Sequence, residues 1–247
     1  MKNKIKWLAA FIALSVVMVF TCVIFGALNG IEQEGAGAVA ATGDDEPIAV
    51  VIDPGHGGED GGCIGTDGTL EKELNLSVAI KVCDILNSCG INAALTRDSD
   101  TALYDLYGDL HDYTNVKKTY DLKNRVRFAK ESDCKLFVSI HMNKFPQSST
   151  EGLQVYYSPN DSDSITAALR IQEYVKNYIQ PQNDREIKRG GSNIYVLHRS
   201  QMAAVLVECG FLSNSDELEL LKTEDYQKKL ALCIAAAISD SLANFQT

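Results

Sequence analysis

Three near-continuous apolar runs constrain this chain most: IAVVI at 48–52, KLFVSI at 135–140 and AAVLV at 203–207. A strand with one wet face alternates apolar and polar residues, whereas these runs belong to strands covered on both faces. Between them the apolar period becomes helical. Leu74, Val78, Val82, Ile85 and Cys89 form one stripe, which Gly90 ends. Ile91–Thr96 reads as a second strand. Asp121 is a candidate cap for a helix reaching about Ser132, with Leu122, Val126 and Ala129 inward. Gly152–Tyr157 and Asn193–Leu197 read as strands, and about Ser164 to Tyr178 as a helix. A last helix from about Glu224 to Ala243 aligns Tyr226, Leu230, Ile234, Ile238 and Leu242. Alternating strands and helices predict an α/β fold: a single domain whose central, mostly parallel sheet is flanked by helices on both faces.

Charge separates this domain from what precedes it. Lys2, Lys4 and Lys6 are the only charged residues among the first 30, in a chain of 23 basic and 33 acidic residues with net charge −10. Residues 7–28 are uncharged and at about 1.5 Å per residue span roughly 33 Å, enough for a bilayer. Residues 1–29 therefore read as an N-terminal membrane anchor or signal segment; the length favours an anchor, and Ala38-Val39-Ala40 resembles a cleavage site. Cys22 is a poor match to a lipidation signal. In either case the lysines stay inside and the domain works on the extracytoplasmic side of the membrane. Residues 30–46 are small and polar, a flexible linker, and residues 47–247 hold the catalytic domain. The acidic remainder argues against a nucleic-acid partner, whose phosphates call for basic residues. None of the seven cysteines forms a CxxC pair. Cys83, Cys89, Cys134, Cys209 and Cys233 fall in apolar patterns and read as buried free thiols.

Ligands in open α/β sheets bind beyond the carboxyl ends of the strands. The first strand here ends in Asp53 and His56, KLFVSI in His141, and the third run in Glu208. Glu71 and Glu73 open the helix after the first loop. Two histidines and one carboxylate satisfy the count of a catalytic zinc site, which keeps one position open. The residues alone leave the choice between Glu71 and Glu73 undecided. Singly, each has a plainer role: hydrogen-bonded histidines, turn glycines, acids favoured at a helix start.

Four motifs occur together: VVIDPGHGGEDGG at 50–62, GTLEKELNL at 68–76, SIHMN at 139–143 and VLVECGFLSN at 205–214. In order and spacing they resemble the zinc-dependent N-acetylmuramoyl-L-alanine amidases of bacterial cell walls. The resemblance implies that His56, Glu71 and His141 bind Zn2+ and that Glu208 is the catalytic acid/base. It implies hydrolysis of the amide between N-acetylmuramic acid and L-alanine in peptidoglycan. Asp53 is then a candidate to orient His56, Asn143 to bind substrate amides, and Arg189 to face a stem-peptide carboxylate. His111 and His198 are not carried over.

The expected single-domain, membrane-attached build is most like the spore-cortex, germination-specific amidases, whose place is the intermembrane space of the forespore. An activating or localising protein partner is expected in place of a plug helix. Two other readings compete: a wall carboxypeptidase using zinc, and a non-catalytic zinc or peptidoglycan-binding module.

Overall fold

The computed structural model describes residues 46–245. The expected segment 1–29, and the linker 30–46 apart from Glu46, lie outside the described residues, as does Cys22. Among the described residues, no helix is long and apolar enough to cross a membrane.

In chain order the elements are β1 (Val50–Pro54), α1 (Glu71–Ser88), β2 (Ala93–Leu95), α2 (Lys117–Glu131), β3 (Leu136–Asn143) and β4 (Gln154–Tyr157), then α3 (Asp163–Tyr178), β5 (Lys188–Arg189), α4 (Tyr195–Arg199), β6 (Ala203–Phe211), α5 (Ser215–Leu221) and α6 (Glu224–Ala243). The strands form one sheet in the order β2-β1-β3-β6-β4-β5. Every neighbouring pair is parallel except β4 with β6. Residues 144–153, which join β3 to β4, hold no helix, and a parallel return needs a crossover of about a dozen residues or more.

Side chains alternate across the sheet and two cores result. Val50, Ile52, Val138, Ile140, Val205 and Val207 face a layer made by α1, α3, α5 and α6. Val51, Phe137, Ala204 and Leu206 face α2 and α4, through Ala129, Val196 and Leu197. The second layer is thinner. Asp53, His141 and Glu208 follow the same alternation at the upper end of the sheet, where Arg125 of α2 covers Asp53 and the layer leaves His141 and Glu208 partly exposed.

Three local expectations are corrected. Asn193–Leu197 is not a strand: Tyr195–Arg199 form α4, which buries Val196 and Leu197 against the second core. Asp121 does not cap α2, which starts at Lys117. One turn inside, its carboxylate accepts the Leu103 amide at 2.6 Å and Arg125 Nε at 2.7 Å. Cys89 is exposed and sits at the C-cap of α1, while Cys83, Cys134, Cys209 and Cys233 are buried free thiols.

Candidate active site

The loop after β1 is built to hold one histidine in an unusual conformation. His56 has φ 62°, followed by Gly57 at 134° and Gly58 at 57°. Positive φ disfavours a histidine, so the surrounding contacts hold it there. Two arginines do this through carbonyl oxygens. Arg125, 2% exposed, donates to Pro54 O at 2.8 Å and His56 O at 2.7 Å, and pairs with Asp53 at 2.7 Å. Arg97 donates to Pro54 O and Gly55 O, both at 2.9 Å.

Asp53 therefore does not orient His56. It is buried among Arg125, Thr96 and Ser139. Burial disfavours its charge, but Arg125 and the two hydroxyls outweigh this and hold its carboxyl below the usual range. The carboxylate nearest its ring is Asp60, whose Oδ2 lies 2.9 Å from His56 Nδ1, an ion-pair distance without hydrogen-bond geometry. A carboxylate on the far nitrogen is a common support for a metal-binding imidazole.

Glu71, first residue of α1, is 3% exposed, whereas Glu73 points to solvent. Glu71 Oε1 lies 2.9 Å from His141 Nδ1 and 3.3 Å from His56 Nε2. The Cys63 amide donates to its Oε2 at 2.8 Å, and the Met142 amide to Oε1 at 3.1 Å. Burial raises the Glu71 pKa, yet the hydrogen bonds and charges of His141 and His56 drive it well below the ordinary carboxylate value. Ligand atoms of His56, Glu71 and His141 all lie within 4.8 Å of one another. Two imidazole nitrogens and an anionic oxygen, converging and braced from behind, fit a divalent metal ion. The choice between the two glutamates thus falls to Glu71.

Glu208 pairs in register with His141 across β3 and β6. Its Oε2 is buried and has no hydrogen-bond partner among the described residues. Burial raises its pKa to about 7; the histidines' attraction offsets part of this and Glu71 adds to it. A carboxyl near neutrality, beside a three-ligand cluster and outside it, suits proton transfer.

The other expected residues divide. Asn143 ends β3 two residues past His141, beyond an irregularity in the ladder; its Oδ1 accepts the Lys144 amide at 2.7 Å. Arg189 is not brought to the cluster. It pairs with Tyr157, which pairs with Val205, three residues short of Glu208 and two strands away. It lines a shallow hollow with Asn160, Ser192 and His198. Arg97, Arg125 and Asp60 were not foreseen. Buried arginines carry no periodic signal, since in sequence they read as ordinary surface charge.

Residues 50–240 match the family described as N-acetylmuramoyl-L-alanine amidase. The chain belongs to this family. A germination-specific N-acetylmuramoyl-L-alanine amidase of Bacillus subtilis is 35% identical over 189 residues, covering 76% of this chain and 77% of that protein. Among solved structures, the CwlD amidase from Clostridioides difficile, determined in complex with the GerS lipoprotein, superposes with a TM-score of 0.74 at 37% identity, covering 80% of this chain and 99% of that one. The amidase AmiC2 of Nostoc punctiforme superposes at 0.67 with 31% identity, covering 79% and 97%. The protein is an amidase, and the His56, Glu71 and His141 cluster is its candidate metal site.

Proposed function

We propose that this amidase uses zinc, held by His56, Glu71 and His141, to cut the bond between N-acetylmuramic acid and L-alanine, and that its substrate is spore-cortex peptidoglycan. The observation that carries the site reading is the in-register pair of His141 and Glu208, with Glu208 Oε2 buried and unpartnered among the described residues beside the three converging ligands. Zinc bound there would acidify water and polarise the amide carbonyl.

The chain's own residues supply the rest. Glu208 accepts a proton from the attacking water as the carbon–oxygen bond forms. It returns that proton to the alanine nitrogen as the carbon–nitrogen bond breaks, so its charge is restored with each turnover. A pKa near 7 suits both transfers at neutral pH. Asp60 holds the His56 ring from its far side. Asn143, at the end of β3 two residues past His141, is the candidate to meet a peptide group of the substrate.

The cortex assignment rests on likeness to the germination-specific amidase and to CwlD. The complex of CwlD with GerS supports a protein partner for this chain as well. Residues 1–29 would place the enzyme on the outer side of the cytoplasmic membrane, facing the forespore wall.

Removing the metal with a chelator should abolish cleavage, and stoichiometric zinc should restore it. Restoration by another divalent ion, with zinc inert, would overturn the metal assignment. Full activity of the purified protein alone on cortex sacculi would overturn the partner.

A further inference from the structure

Arg185 is a cation held in place without a direct ion pair among the described residues. Its Nε donates to Glu151 O at 2.7 Å and its Nη1 to Gln154 Oε1 at 3.3 Å. Its guanidinium carbon lies 4.6 Å from the centre of the Phe211 ring. The three groups it contacts, a backbone carbonyl, a side-chain amide and a phenyl ring, are neutral, and the Glu217 carboxylate attracts it without an ion pair. Among the described residues no carboxylate forms an ion pair with it, as holds also for Arg97, Arg189 and Arg199, whereas Arg125, Arg127 and Arg170 each have two.

Its location gives that free charge a meaning. Gln154 pairs with Glu208 across β4 and β6. Directly opposed residues of antiparallel strands share a face, with Cβ atoms about 4.5–5.5 Å apart. Phe211 pairs with Asn143, past the irregularity that follows His141. The guanidinium thus borders the reacting face on the side of Glu208 away from His141. Arg189, the other arginine near this edge, stands at the level of Val205.

We propose that Arg185 recognises a carboxylate of the stem peptide, on the alanine side of the bond being cut. The proposal rests on the amidase reading. N-acetylated sugars of the glycan are neutral, so the fixed anions of this substrate are on its peptide. An extended chain advances about 3.3–3.6 Å per residue. A carboxylate on the second or third stem residue therefore lies roughly 7–10 Å from the cleaved nitrogen, the span from Glu208 across one strand to the arginine. A planar guanidinium already stacked and hydrogen-bonded loses little freedom when it takes a carboxylate in a forked pair.

The test uses the full-length, metal-loaded protein and two muramoyl peptides, one with a free carboxyl on the second stem residue and one with that group amidated. The wild type should prefer the free acid by about 10- to 100-fold in kcat/KM. Arg185→Gln should lose that preference, mainly through KM, while cutting the amidated peptide as before. Arg185→Lys should keep part of it. Equal loss on both peptides would make the residue merely structural, and unchanged preference would make it irrelevant; either overturns the proposal. If the wild type cuts neither peptide, the amidase reading fails. Titration of the free stem peptide, acid against amide, into wild type and Arg185→Gln then still decides whether the arginine binds the carboxylate.

Discussion

Replacing Gly55 by alanine isolates the packing that aims His141. An ideal Cβ at Gly55 would lie 2.2 Å from Cε1 and Nε2 of the His141 ring and 2.7 Å from Nδ1. Ordinary contact begins near 3.4 Å, so the ring must retreat by about 1.2 Å. Gly55 itself has little room to yield. Its amide donates to Ile140 O at 2.9 Å, and its carbonyl accepts from Arg97 at 2.9 Å and Asn75 at 3.1 Å. Metal–ligand distances tolerate about 0.2 Å, so the displaced ring ceases to be a ligand in its present pose. Zinc affinity should fall by roughly 100-fold or more, measured by competition with a chromophoric chelator. Overpacking should cost the metal-free fold only about 1–3 kcal/mol, read by thermal unfolding. Gly61→Ala is the control, since its Cβ would meet Leu70 at 3.4 Å, an ordinary contact. If Gly55→Ala binds zinc as tightly as Gly61→Ala does, the glycine does not set the ring position and the reasoning is wrong.

Glu208→Gln should keep full zinc stoichiometry while kcat falls by about 10²- to 10⁴-fold; loss of zinc in that variant would make Glu208 a ligand. Glu71→Ala should release the metal and Glu73→Ala should retain it, as metal analysis after gel filtration would show. Arg125→Met strands Asp53 as a buried charge, a loss of about 3–5 kcal/mol in denaturant unfolding; a change under 1 kcal/mol would mean the clamp is slack. In the metal-free protein, burial lowers the His56 pKa, but the nearby carboxylates of Asp60 and Glu71 raise it to about 9. A folded value above the unfolded one of 6.5 contributes stability that is complete below pH 6.5 and lost as pH climbs to about 9. Zinc must displace the same proton, so its affinity should rise with pH across that window. A flat titration would contradict the Asp60 contact.

The parts of the fold that were legible in sequence are those where burial alone decides the structure. IAVVI, KLFVSI and AAVLV are apolar on both sides and became β1, β3 and β6, and the stripe from Tyr226 to Leu242 became α6. The misreadings fall where a short segment answers to its surroundings. Asn193–Leu197 has too few residues to express a period, and the core beneath Val196 and Leu197 makes part of it a helix. Asp121 looked like a cap, yet its carboxylate is taken by Arg125 and the Leu103 amide. The histidines and Glu208 were visible as polar residues at the ends of apolar strands. Asp60, Arg97, Arg125 and Arg185 are not, because their partners are loop carbonyls, a ring nitrogen, a neutral amide and, for Arg125, two carboxylates that only the folded chain brings near.

The most direct measurement of the central claim is digestion of purified cortex peptidoglycan by the protein, with and without a chelator, followed by mass spectrometry of the products. Intact stem peptides bearing a free N-terminal L-alanine should be released only while metal is present. Release of single D-alanine, or release of stem peptides that the chelator does not stop, would contradict that claim.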